Sequence, residues 1–191
     1  MPPSLILASR SPRRSALLAC LGLEFEILPA DIDETARSGE AAEAYVRRMA
    51  LDKALAVRVN HADRPILGAD TAVIVDQRIL GKPSDEADFL AMGRLLRGRG
   101  HRVMTALALV HGPHRFIRLS ISEVFMADFP ESQWRAYWQS GEPADKAGGY
   151  AIQGLGAVFV ERMAGSCGGV IGLPLRETAQ LLAEIGLDVL S

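Results

Sequence analysis

The chain has 191 residues, with 23 acidic against 21 basic side chains and a formal net charge of -2, so no overall field draws in nucleic acid or an anionic membrane. Hydrophobic residues make up 49% and charged residues 23%, enough apolar surface to offset chain entropy, which excludes a disordered or polybasic protein. The length suits a single domain over residues 1–191, with room for two lobes around a cleft.

Ser4 to Ala8 reads as a short buried strand. It is too short for a secretory signal or a membrane helix, so the protein is expected to be soluble and cytoplasmic, with no membrane or nucleic-acid partner. Ser11-Pro12 is an N-cap followed by proline at the first helical position, and the helix should run to about Leu21, where Gly22 supplies a left-handed cap. Phe25 to Leu28 is a second strand. A helix from about Ala41 to Val57 carries Val46, Met49, Ala50, Lys53, Ala54 and Val57 on one face. Lys53 is the odd member: an ammonium on a core-facing stripe must snorkel to the edge or meet an anion.

Pro65 to Val75 is an apolar strand segment interrupted at Gly68-Ala69-Asp70-Thr71, with Arg78 to Leu80 as a hairpin partner across Asp76-Gln77. Ser84 should cap a helix to about Arg97, with Gly98 ending it. Strands Val103 to Val110 and Phe116 to Met126 follow, joined through Gly112-Pro113. A helix holding Trp134 and Trp138, a strand around Ala157 to Val160 and a helix from about Leu175 to Ile185 complete the chain. The class is α/β: a mixed β-sheet with flanking helices. The two cysteines, Cys20 and Cys167, sit in no CxxC spacing and fit a reducing compartment.

Ser9-Arg10-Ser11-Pro12-Arg13-Arg14 lies between a strand and a helix N-terminus, where unpaired N–H groups, hydroxyls and guanidiniums together make an anion site. The bland alternative is that Ser11 only caps the helix and the arginines are solvated. Asp70, in a hydrophobic strand segment, should meet a metal, a lysine or a backbone N–H, or else make an Asx-turn. Asp31, Asp33 and Glu34 form an acidic group of the kind a hard cation needs, although such runs are commonly solvated loop. Lys82 in Gly81-Lys82-Pro83 suits a phosphate contact or an exposed turn. His111 and His114 flank a hairpin turn with no cluster to complete a zinc site, and the P-loop, GxGxxG and GxSxG motifs are missing from the sequence.

Taken together, LILASRSPRRSALLACLG, ILGADTAVIV, LGKPSDEADF, GRGHRVMTAL, DKAGGYAIQGLGAVFV and IGLPL resemble the Maf family of nucleoside triphosphate pyrophosphatases. They do so in the family's order and over nearly the whole chain. The resemblance implies a two-lobed fold with a central cleft, like that of the inosine triphosphate pyrophosphatases, usually as a homodimer. It also implies cleavage of a nucleoside triphosphate to monophosphate and pyrophosphate with a divalent metal, Mg²⁺ or Mn²⁺. On this pattern Asp70 is the acid/base and, with Glu34, a metal ligand. Arg14, Lys53 and Lys82 would stabilise phosphates beside Ser9 and Ser11. Arg13, Thr71 and Gln153 resemble the dTTP/UTP branch, whose substrates would be cleared, if noncanonical, before they enter nucleic acid; the 7-methyl-GTP branch carries tryptophan where Arg13 stands. The alternatives are that 7-methyl-GTP reaction, or a nucleotide-binding regulator of septum formation without turnover. Arg10 and Cys167-Gly168-Gly169 depart from the family's familiar pattern.

Overall fold

A computed structural model describes residues 5–189; the Ser4 start expected for the first strand lies outside them. Strand β1 (Leu5–Leu7) leads into helix α1 (Pro12–Ala19), which returns the chain to β2 (Phe25–Ile27), parallel to β1. Ser11 caps α1 through its side chain, accepting from the Arg14 N–H, and Gly22 takes φ 70° beyond the helix. After an irregular segment, α2 (Ala42–Arg58) buries the stripe Val46, Met49, Ala50, Lys53, Ala54 and Val57. The helical period had singled out the same six side chains.

Strand β3 (Ile66–Val75) runs without a break through Gly68-Ala69-Asp70-Thr71, which corrects the expected interruption. Each of those residues keeps a cross-strand partner, Gly68 facing Ala108 and Thr71 facing Thr105. Asp70 is tolerated in mid-strand because a lysine faces it, and Gly68 is there because α2 comes close: a Cβ on Gly68 would overlap the Ala50 carbonyl oxygen. Asp76 and Gln77, at φ 47° and 66°, turn the chain into β4 (Arg78–Leu80). Helix α3 (Glu86–Leu96) is capped by Asp85, not by Ser84. Asp85 accepts from the Asp88 N–H at 2.8 Å, and Asp88 reaches back to the Ser84 N–H at 3.0 Å, so the acidic pair settles the helix start one residue later.

The long hairpin β5 (Gly100–His111) and β6 (His114–Met126) is followed by α4 (Glu131–Gln139). Three short 3₁₀ turns at 142–145, 147–149 and 155–159 then replace the strand expected near Ala157; only Val160 belongs to a strand, β7 (Val160–Ala164). That segment is shaped by Glu142, whose carboxylate accepts from the Leu155 and Gly156 N–H groups at 3.0 Å each, with Gly154 at φ 104°. A short helix α5 (Cys167–Ile171) precedes α6 (Leu175–Ala183).

Among the described residues the sheet has seven strands in the order β2-β1-β3-β5-β6-β7, with β4 on β3. The β1–β2 and β1–β3 pairs are parallel and the others antiparallel, so the sheet is mixed as expected. Four apolar clusters share it among the described residues. Two lie under α2, around Val46 and Ala50 and around Ala54 and Val57; of the others, one surrounds β1, α1 and α6 and one gathers Phe89 of α3, Trp134 and Tyr137 of α4, Tyr150 and Phe159. Between these last two β3 pairs with β1 only at Ile66 and Leu67 and with β4 only at Val73 to Val75, leaving residues 68–72 with β5 on one edge alone. A cleft opens at this gap in the sheet. Among the described residues no helix is long and apolar enough to cross a membrane.

Candidate active site

The cleft encloses about 360 Å³, within the range that holds small-molecule ligands. Its floor is Asp70 and Lys53. The close packing of α2 on β3 at Gly68, through the small residues Ala50 and Ala54, places the Lys53 Nζ 2.7 Å from Asp70 Oδ1, and both side chains are buried. Lys53 also lies 3.0 Å from Glu34 Oε1, so one ammonium joins two carboxylates from separate elements. Burial pushes the Asp70 carboxyl above the ordinary aspartate value against the opposing pull of Lys53 and Arg14. Asp70 Oδ2 is buried with no hydrogen-bond partner, a state that costs about 1–3 kcal/mol and is relieved by any water, metal or ligand donor.

Glu34 reaches this floor from an irregular segment tied to α2. Tyr45 donates its hydroxyl to the Glu34 carbonyl at 3.0 Å, and Arg48 donates to the Thr35 carbonyl at 3.3 Å while gripping both oxygens of Glu40 at 2.6 Å. Arg48 and the Arg37 N–H outweigh desolvation and hold the Glu40 carboxyl down at about 2. Burial, reinforced by the Asp70 and Glu34 charges, pushes the Tyr45 phenol up to about 12, which keeps it a donor.

The Ser9–Arg14 segment forms one wall. Arg14 is held at three nitrogens: Nε donates to the Gly172 carbonyl at 2.9 Å, Nη1 to Ser9 Oγ at 3.3 Å and Nη2 to Thr71 Oγ1 at 3.1 Å. Burial lowers its pKa from the ordinary arginine value while Asp70 and Glu34 oppose that shift; the guanidinium stays charged. Ser9 Oγ also accepts from the Ser11 N–H at 3.2 Å, folding the loop over the start of α1. Arg13 points elsewhere. Its Nη1 lies 3.4 Å from Asp145 Oδ2, so it spans the cleft to the first 3₁₀ turn of the opposite lobe.

Ser9, Ser11, Arg13, Arg14, Glu34, Lys53, Asp70, Thr71, Lys82 and Gln153 all line this one cavity. Lys82 and Gln153 are exposed at its rim. Gln153 sits on a loop gripped on both sides: Tyr137 Oη accepts from the Ala151 N–H at 3.2 Å and donates to Glu142 Oε1 at 2.7 Å, and Glu142 holds the chain just beyond. Three polar lining residues were not singled out by sequence: Asp145, Lys146 and Tyr150. Desolvation raises Asp145, but Lys146 and Arg13 bring its carboxyl net below the ordinary value. Tyr150 forms a buried wall, its hydroxyl 2.6 Å from His101 Nε2. The one available signal was the DKAGGY stretch, whose charged pair sits next to glycines at φ 69°.

Among the described residues no three His, Cys, Asp or Glu side chains form a metal cage. Asp70 and Glu34 nevertheless suit a hard cation that takes its remaining oxygens from phosphate and water, and the unpartnered Asp70 Oδ2 is the atom such an ion would satisfy.

Fold and site thus define an α/β cleft protein with a buried carboxylate on the floor of the cleft and arginine and lysine side chains along its walls. The chain belongs to the Maf-like protein family, whose model matches residues 4–185. It is 49% identical over 190 residues to a dTTP/UTP pyrophosphatase of Hahella chejuensis, covering 98% of this chain and 94% of that protein. It is 50% identical over 184 residues to a protein of the same name from Methylococcus capsulatus, covering 96% and 91%. Among solved structures, the Staphylococcus aureus Ham1 protein is similar with a TM-score of 0.48 and 13% identity, over 65% of this chain and 72% of that one.

Proposed function

We propose that the chain hydrolyses dTTP and UTP to the nucleoside monophosphate and pyrophosphate, using a divalent cation. The observation that carries this reading is Asp70, a buried carboxylate with one oxygen on Lys53 and the other unpartnered, in a cleft also lined by the cations Arg14 and Lys82. Asp70 takes a proton from the attacking water as the water oxygen bonds the α-phosphorus. The bond from that phosphorus to the bridging oxygen breaks, and pyrophosphate leaves with the electron pair. Lys53, Arg14 and Lys82 offset the charge that gathers on the phosphate oxygens, with Ser9 and Ser11 orienting them. Asp70 and Glu34 would hold the cation, which would supply further neutralisation of phosphate charge. Arg13, Thr71 and Gln153 belong to the pyrimidine side of the cleft in this reading.

A panel of dTTP, UTP, CTP and 7-methyl-GTP with product identification tests it: pyrophosphate and monophosphate from the first two support the reading, and orthophosphate or no turnover overturns it. Exhaustive chelation should stop turnover, and Mg²⁺ or Mn²⁺ should restore it; full activity without metal removes the cation from the scheme. A cytoplasmic setting is supported by two exposed free thiols, Cys20 and Cys167. The homodimer rests on the family resemblance, and sedimentation of the purified chain tests it.

A further inference from the structure

Thr105 of β5 lies outside the set of residues that touch the cavity, is fully buried, and yet connects directly to it. Thr71 and Thr105 face each other across β3 and β5 with their hydroxyl oxygens 2.8 Å apart. Thr105 also lies 2.7 Å from the Gly169 carbonyl of α5. A carbonyl can only accept, so the Thr105 hydrogen goes to Gly169. Thr71 must then donate its own hydrogen to Thr105, which leaves its oxygen to accept from Arg14 Nη2 at 3.1 Å. The result is a one-way chain, Arg14 to Thr71 to Thr105 to Gly169. A second anchor in the same segment, the Gly172 carbonyl, takes Arg14 Nε at 2.9 Å.

We infer that Thr105 is a positioning residue for Arg14, fixing the guanidinium at the cleft through Thr71 and the end of α5. This rests on the reading of Arg14 as a phosphate-binding group. A guanidinium has five N–H donors, and three are committed to Gly172, Ser9 and Thr71; the remaining two are free for an anion. Without the chain, a long side chain must spend rotamer freedom each time it meets substrate. With it, the fork is set in advance, and pre-organised charge is what stabilises a developing anion most effectively. The chain also changes what Thr71 can do in the cleft. Its only hydrogen is spent on Thr105, so toward a ligand it cannot donate and can only accept, through its second lone pair.

The test separates the hydroxyl of Thr105 from its methyl group in the full-length protein. Thr105→Val keeps the shape and deletes the chain; Thr105→Ser keeps the hydroxyl and deletes packing. Thr105→Val should lower kcat/KM for UTP by about tenfold, the size of one lost hydrogen bond, and weaken binding of inorganic tripolyphosphate in calorimetry by a similar factor. Thr105→Ser should melt at lower temperature than the wild type yet retain activity within about threefold on the same scale. Should Thr105→Val fold poorly, Thr105→Ala makes the same comparison against Thr105→Ser, since a water filling its gap does not restore a directed chain. Equal kcat/KM and tripolyphosphate affinity in wild type and Thr105→Val overturns the inference, as does equal damage from Val and Ser. A wild-type protein that binds tripolyphosphate but turns over no nucleotide defeats the proposed reaction alone, and the binding comparison still decides the role of Thr105. A wild type that binds no tripolyphosphate defeats both.

Discussion

The Lys53–Asp70 pair is short and buried on both sides, the kind of contact in which removing one charge strands the other at a cost of about 3–5 kcal/mol. Here the cost is softened because Glu34 also reaches Lys53 at 3.0 Å. Asp70→Asn should therefore fold, with an unchanged far-UV spectrum, and lose activity by at least about a hundredfold, the usual contribution of a positioned acid or base. Activity within a few-fold of wild type would remove Asp70 from proton transfer. Arg13 calls for a different experiment, because its guanidinium rests on Asp145 across the cleft and not on open space. If Arg13 reads the pyrimidine edge, Arg13→Trp should cost dTTP and UTP at least about tenfold in kcat/KM while sparing other triphosphates. Equal losses across the panel would make it a phosphate ligand or a cleft clasp.

At the scale of elements, the site depends on how closely α2 lies against β3. Adding a methyl at Gly68 would drive into the Ala50 carbonyl and Ala54, forcing the helix outward; overpacking of this kind costs about 1–3 kcal/mol. Gly68→Ala should thus lower the melting temperature and reduce kcat together, since Lys53 rides on the displaced helix. An active variant with normal stability would show that α2 is free to shift without harm. The same pair of elements explains what was legible in sequence. Lys53 stood out because a helical period exposes a charged residue on an apolar stripe, and Asp70 because a carboxylate is costly among strand residues. Asp145, Lys146 and Tyr150 were not legible, because residues 142–159 fold as short 3₁₀ turns with no period, shaped by Glu142 and Tyr137. Helix α5 left no signal either: five residues are too few for a stripe, and it is fixed in place by the Thr105 contact to the Gly169 carbonyl and the Arg14 contact to the carbonyl of Gly172 just beyond it.

Across the whole molecule, β3 and β5 contribute side chains to all four apolar clusters, so the lobes should unfold as one. His101 on β5 makes that stability depend on pH. Burial lowers its pKa from 6.5 to about 4, its Nε2 is on Tyr150 and its Nδ1 has no partner. Well above pH 6.5 the imidazole is neutral folded and unfolded alike. Between there and pH 4 the unfolded chain takes up the proton first, so stability falls as the solution is acidified, by at most about 1.4 kcal/mol for each pH unit crossed. The melting temperature of wild type minus that of His101→Gln should therefore decline from pH 7 toward pH 4.5. A flat difference would mean that the folded protein accommodates the imidazolium.

The two tryptophans of the chain, Trp134 and Trp138, both stand on α4, where Phe89 stacks on the Trp134 ring at 4.7 Å and lies 5.0 Å from that of Trp138. The tryptophan emission of this protein is therefore a one-sided optical probe. It watches the α3–α4 lobe and is blind to the lobe that carries Ser9 and Arg14, so a nucleotide docking its phosphates alone should leave the emission unchanged, and quenching would report that the other wall of the cleft had moved.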